Sequence, residues 1–471
     1  MAEPAQFTGR AAPGGRPRSA MVVGALIVAS LGLAVAKPWE QPRPSPPPSA
    51  AVAVPSVTPT GGGTLPIQAP PTPTPVFPLR IPFTLRPPPA TGAPWTDIRW
   101  QHVDATHPLA HFGTALRWAG GYASLGDDGM GGTRLWTSPD GHAWNPIGSG
   151  TATTFWPGVH VESVAPLGRR LLAVTSLPAP LSPANPPSSD PASAGPSAPQ
   201  SVVFASWLSE DGSAWQMRGG PILTQPTRLS GPVLVAGSGD HAVIGWDAWP
   251  EPGGETSGHL AVTADGASWQ PLPASALPSG FQVTALVAAP GGGFLAAGKS
   301  VADGLASAAL LRSDATGQAW TPVALPQDLA FEAGARANVV WRLVVAAGGV
   351  LAIGDSSARE LWWWSADGRR WTAVPGFDPV GASGCPGSSQ GCGAYADGMV
   401  AGDCGRAVAV GGAVGHAALT AWVSADARHW RRLGSLGVVP RDRPSGITLL
   451  PGGIVLLGST GAWYGEAVSG R

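Results

Sequence analysis

Apolar residues along this chain fall in short runs separated by Gly, Pro, Ser and Asp, and residues 283–323 show the pattern most plainly. A run over 283–289 is followed by the turn Pro290-Gly291-Gly292, a second run over 293–298, a third over 307–312, and a fourth that opens at Trp320. Runs this short, rich in Val, Leu and Ala and bounded by turn residues, predict strands and not helices. The second run recurs over 170–174, 241–245, 349–354 and 407–411, so the unit repeats with four strands in each copy.

What punctuates the repeat is the link between its third and fourth runs. Trp363-Trp364-Ser365-Ala366-Asp367-Gly368-Arg369-Arg370-Trp371 is the fullest copy. Close relatives of it are Ser138, Asp140, Gly141 and Trp144; Ser209, Asp211, Gly212 and Trp215; and Thr263, Asp265, Gly266 and Trp269. Two copies are altered: Ser313, Gly317 and Trp320 enclose one extra residue, and Ser424, Asp426 and Trp430 have Ala427 where Gly is expected. An Asp in such a turn accepts backbone N–H groups further along, Gly supplies positive φ, and the Trp is large enough to fill the gap between neighbouring sheets. Successive Trp residues of the last five turns are 54, 51, 51 and 59 residues apart, a spacing that suits propeller blades.

On these turns the chain resembles the Asp-box, or bacterial neuraminidase repeat, proteins, in which Ser-x-Asp-x-Gly-x-x-Trp turns join the third and fourth strands of propeller blades. Most copies here are one residue shorter than that pattern. The resemblance implies an all-β propeller whose boxes are structural and lie on the face away from the ligand site. Sialidases of the family also carry an Arg-Ile-Pro motif ahead of the first box, and Arg80-Ile81-Pro82 matches it. Their chemistry needs two further arginines, a Tyr nucleophile with a Glu partner, and an Asp acid/base. Arg80 stands among prolines before the first strand of the repeat, and Tyr122, Tyr395 and Tyr464 have no recognisable partner beside them, so the match is read as accidental.

Six turns do not mean six blades. After the sixth, 447–458 and 462–469 supply three strands of a seventh unit that stops short of its fourth. Residues 95–100, Trp-Thr-Asp-Ile-Arg-Trp, begin with the aromatic a fourth strand would have. The expectation is a seven-bladed β-propeller over 95–471 in which this N-terminal strand closes the last blade and removes the exposed sheet edges of an open ring.

Ahead of the propeller lie a polar tail, 1–19, with Arg10, Arg16 and Arg18, and an uncharged apolar run, 20–36. Arginines before an apolar run direct the rest of the chain outward, so 20–36 is expected to be a signal anchor in the cell membrane with the C-terminal domain outside; cleavage after Ala34-Val35-Ala36, giving a secreted protein, is the alternative. Residues 37–94 are Pro-rich and read as an extended, disordered linker.

Charge nominates no partner. With 28 Lys and Arg against 29 Asp and Glu there is no basic field for nucleic acid. Cys385, Cys392 and Cys404 lie close together; Cys385 and Cys392 form a possible disulfide, with a zinc site as the rival reading. No metal and no cofactor is expected. Gly293 to Ser300 matches a phosphate-loop pattern but falls on a second strand, His107 and His111 flank Pro108 in what reads as a loop, and Asp127-Asp128 reads as a solvated turn with calcium as its sharper alternative.

In a four-stranded meander the turns after strands two and four share the face opposite the boxes. The longer loops fall there: 126–132, 176–200, 247–255 and 376–398, with 176–200 expected to be disordered. Trp156, His160, Trp246, Trp249 and Tyr395 are the candidate ligand contacts on that face. The functional expectation is a non-catalytic binding or scaffolding head for a protein or glycan ligand; the alternatives are a sialidase-like glycoside hydrolase and an assembly factor for a membrane complex.

Overall fold

The computed structural model describes residues 83–85, 94–127, 133–147, 160–178, 201–218, 222, 227–249, 256–302, 305–326, 338–356, 359–374, 394–395, 399–403, 405–413, 418–438, 445–458 and 461–469. The apolar run at 20–36, most of the linker, Trp156, Arg80 and all three cysteines lie outside them. Among the described residues no helix is long and apolar enough to cross a membrane.

The described chain forms seven antiparallel sheets. Their innermost strands, Ala115–Trp118, His160–Leu167, Leu234–Ser238, Phe281–Ala288, Val339–Ala346, Val400–Asp403 and Gly446–Leu450, each neighbour the next, and the last neighbours the first. That circuit is a closed ring of seven blades. Blade 4 carries the repeat in its plainest form, with Phe281–Ala288, Phe294–Ala302, Leu305–Ser313 and Trp320–Pro322 paired in order. The phosphate-loop match therefore sits on a paired strand, where its backbone N–H groups are spent on neighbours.

Blade 7 takes its fourth strand from the other end of the domain. Trp95–Asp104 runs antiparallel to Gly461–Ser469, with Ile98 opposite Ala467, Trp100 opposite Gly465 and His102 opposite Trp463. Ile98 and Trp95 are buried against Val408, Val410 and Leu433 of blade 6 and Ile454 and Leu456 of blade 7. The guanidinium of Arg406 lies 4.8 Å from the Trp95 ring. The expected closure is what the register shows.

Within the Pro-rich stretch, Phe83–Thr84 adds a fifth strand to the outside of blade 1, pairing Phe83 with Trp144 and Thr84 with Ala143. Phe83 packs edge-on against Phe112 and Trp136 at 5.5 and 5.6 Å, and Leu85 is buried beside them. The stretch is thus ordered against the head at this point, because two apolar residues there meet an aromatic cluster. His107 and His111 bracket a short 3₁₀ helix, Pro108–His111, where a loop is expected. His107 Nδ1 accepts the Leu109 N–H at 3.2 Å, and His111 Nε2 lies 2.9 Å from the Ala105 carbonyl.

The cores lie in the seams between blades. Leu295, Ala297 and Leu310 of blade 4 pack on Leu343, Trp363 and Trp371 of blade 5, and Trp136 and Trp144 of blade 1 pack on Leu450, Val455 and Tyr464 of blade 7. Ile98→Ala removes a buried side chain from the seam that joins the two ends of the domain. It is expected to cost about 2–4 kcal/mol in urea unfolding with an unchanged slope; a loss under about 0.5 kcal/mol would mean the strand contributes nothing to closure.

Candidate functional site

Two rims compete for function, and the turn rim is the more completely described. In blade 1, Ser138 Oγ donates to Asp140 at 3.1 Å and accepts the Gly141 N–H at 2.8 Å, while Asp140 accepts the N–H groups of His142 and Ala143 at 2.7 and 3.1 Å. The same four bonds recur at Ser209, Asp211 and Gly212, at Thr263, Asp265 and Gly266, and at Ser365, Asp367 and Gly368. Ser424 and Asp426 repeat the pattern with Arg428 and His429 as donors.

The lengthened turn of blade 4 solves the same problem by moving the acid. Asp314 Oδ1 accepts the Gln318 and Ala319 N–H groups at 3.0 and 3.4 Å, and Ser313 Oγ accepts the Phe294 N–H. Sequence spacing left Asp314 out of the functional set; its position directly after Ser313 was the available signal. The glycines have φ between 68° and 80°, and Ala427 adopts the same hand at 56°. A Cβ on Gly141 would meet Pro451 of blade 7 at 2.3 Å, and one on Gly317 would meet Val243 of blade 3 at 2.8 Å. Each turn therefore presses on the preceding blade, and its Trp fills the same seam.

Each of these carboxylates spends its Oδ1 on two N–H groups of its own turn. Asp140, Asp211, Asp265, Asp314, Asp367 and Asp426 are all held below the usual carboxylate range. For Asp265 the Ser268 N–H leads, with smaller help from Ala267 and Thr263, and brings the group down to about 2. A depressed pKa contributes stability that is complete above the unfolded value, about 3.9, and is lost as pH falls towards 2.

The opposite rim collects the sequence candidates unevenly. Trp249 is 55% exposed at the end of the second strand of blade 3, its N–H bonded to the Arg228 carbonyl at 2.9 Å. Leu305, at the start of the third strand of blade 4, is 75% exposed on the same rim. Trp246 is a correction: at 3% exposure it is packing and not ligand surface, set against Phe204 of blade 2 at 5.8 Å and stacked on His259 at 5.3 Å. Alternation along the strand turns Trp246 into the blade 2 seam, and one residue later Asp247 turns the other way. Tyr395 lies in a short strand beside the second strand of blade 6.

His160 opens the innermost strand of blade 2 and joins three residues not singled out from the sequence. Its Nε2 lies 2.8 Å from Thr133 Oγ1 of blade 1, and its Nδ1 lies 3.3 Å from Glu162 Oε1. Ser176, directly opposite His160 in the register, donates to Glu162 Oε1 at 2.5 Å. A bulge between Val161 and Ser163 disturbs the pairing where Glu162 stands. The hydrogen bond to Glu162 raises the His160 pKa against the opposing effect of burial. Burial alone would raise Glu162, but its bonds from His160 and Ser176 outweigh it and keep the carboxyl ionised. The His-x-Glu spacing at 160–162 was the only sequence trace of this group.

Asp247, expected in a loop, lies in the strand His241–Ala248 and accepts the Val283 N–H of blade 4 at 2.8 Å; burial raises its pKa. Among the described residues no three His, Cys, Asp or Glu side chains gather to hold a metal.

No protein-family model matches the chain, and no curated protein does. Solved structures do resemble it. A GH74 xyloglucanase from Xanthomonas campestris is 14% identical with a TM-score of 0.43, over 79% of this chain and 54% of the xyloglucanase. Trypanosoma rangeli sialidase in complex with the inhibitor DANA is 11% identical with a TM-score of 0.37, over 69% and 56%. Virginiamycin B lyase from Staphylococcus aureus is 9% identical with a TM-score of 0.40, over 79% and 100%. The chain spans just over half the length of the first two. At these identities and scores, none of the three speaks to the chemistry of this chain.

Asp265→Asn keeps the shape of the turn and removes its charge. It is expected to cost about 1 kcal/mol at pH 7, reduced by solvent screening, with the difference from the parent shrinking as pH falls from 4 to 2. Urea unfolding at pH 7, 4 and 2.5 reads both; an equally stable variant at pH 7 would show the charge to be idle.

Proposed function

We propose that this chain is an Asp-box propeller whose head is held outside a membrane by its N-terminal segment and binds a protein or glycan ligand on the rim opposite the repeated turns. The observation that carries the reading is Trp249, a large apolar side chain left 55% exposed on that rim while its backbone N–H is bonded to the Arg228 carbonyl, in a strand paired with blade 2. A fixed, exposed indole is a good platform for a sugar face or an apolar side chain, because it offers area at little conformational cost. Leu305 extends the apolar offering to blade 4. The turn rim supports the same division of labour, since its carboxylates already hold two N–H groups each.

A sialidase-like hydrolase gains no support from the tyrosines that are described. Tyr122 packs beside Gly141 at the turn rim under Arg117, and Tyr464 is buried between blades 7 and 1.

Glycan-array and membrane pull-down experiments with the full-length protein and its Trp249→Ala variant test the proposal. The variant is expected to melt within about 2 °C of the parent, since the side chain is exposed, and to lose binding by roughly tenfold or more. Equal retention by parent and variant would remove Trp249 from the site. Turnover of a fluorogenic sialoside by the parent would replace the binding reading with a hydrolytic one.

A further inference from the structure

The group built around His160 has an order that a simple strap between blades does not need. Thr133 begins the third strand of blade 1, where it is paired with Asp127 at the rim end of the hairpin. His160 begins the first strand of blade 2, and Ser176 faces it from the second. Hydroxyl, imidazole and carboxylate then follow in sequence: Thr133 Oγ1 to His160 Nε2 at 2.8 Å, His160 Nδ1 to Glu162 Oε1 at 3.3 Å. Behind the carboxylate, the Ser176 hydroxyl fixes it at 2.5 Å.

With its Nδ1–H turned to Glu162, the imidazole presents the Nε2 lone pair to the threonine hydroxyl. That is the relation of a nucleophile to its general base, with a third group orienting the base. Exposure fits the same roles. The His160 side chain is 51% exposed and the Glu162 side chain 17%, so the base faces solvent while its orienting acid is withdrawn.

We infer that Thr133, His160 and Glu162 form a nucleophilic site for acyl transfer from small esters, with Thr133 Oγ1 as the nucleophile, His160 as the general base and Glu162, backed by Ser176, as the positioning residue. Thr133 Oγ1 bonds to the acyl carbon while its proton passes to Nε2. The ester C–O bond breaks, and the departing alkoxide takes that proton and leaves as an alcohol. Water then bonds to the acyl carbon and gives a proton to Nε2. The bond from Oγ1 to carbon breaks, and Oγ1 recovers the proton. The sum is ester and water to acid and alcohol, with no oxidant or further reactant. This site goes beyond ligand binding at Trp249 and does not depend on it.

The test uses the full-length protein with p-nitrophenyl acetate and, separately, a fluorophosphonate that labels activated hydroxyls, its position read by peptide mass spectrometry. The parent is expected to release p-nitrophenol above buffer and to carry the label on Thr133. Thr133→Val keeps the β-branched shape and should abolish the label and lower kcat/KM by about 100-fold or more; Thr133→Ser should keep both activities. Glu162→Gln should lower kcat with little change in KM, because it acts through the imidazole. Thermal melts of each variant separate loss of chemistry from loss of fold, and the Ser variant carries the comparison if the Val variant unfolds. Release that persists unchanged in Thr133→Val, label on another residue, or a parent with neither release nor label would each overturn the inference.

Discussion

The ring depends on a small residue in left-handed conformation pressed against the blade behind it. At Gly141 the backbone of blade 1 comes so close to Pro451 of blade 7 that a side chain has nowhere to go, and Gly317 stands in the same relation to Val243 of blade 3. The carboxylate directly before it, or three residues earlier in the lengthened turn of blade 4, holds the turn in that shape, and the Trp three residues later fills the remaining seam. Blade 6 marks the tolerance: Ala427 adopts the same hand with its methyl fully buried among Val344, Ala346 and Leu351 of blade 5. One methyl is accommodated there, and Ser424, three residues before it, still donates to Asp426 as in the other turns.

Because the turns are spent on holding blades together, the opposite rim is where side chains are left with something to offer. There the ends of second strands and the starts of third strands bring residues from neighbouring blades together. Thr133 of blade 1 meets His160 of blade 2, and Asp247 of blade 3 meets Val283 of blade 4. The strand Phe83–Thr84 lies on the outer edge of blade 1 at its turn end, since Phe83 pairs with Trp144 and the Leu85 N–H donates to the His142 carbonyl.

Much of the architecture is visible in a single line of sequence because its causes are local. A Ser, an Asp and a residue able to take positive φ close a hairpin by bonds within six residues, so each copy announces itself. Ring closure was also legible, since a unit lacking its fourth strand and a stray strand beginning with Trp95 have one economical pairing. Trp246 was misjudged for a physical reason: on a strand whose two faces both meet neighbouring blades, an aromatic near the loop points into a seam as readily as outward. Asp314 escaped notice because one inserted residue moved the acid along the turn while the turn's bonds were kept.

The sequence by itself determined the four-stranded unit, the positive-φ turns and the number of blades, all of which follow from contacts between residues close along the chain or from the count of repeats. Only the tertiary structure decided which polar residues meet. Thr133, His160 and Ser176 lie as much as 43 residues apart and on two blades, and nothing in their local sequence requires them to share hydrogen bonds. Their meeting follows from the angle at which one blade packs on the next, which is set by seam packing from residues elsewhere in both sheets.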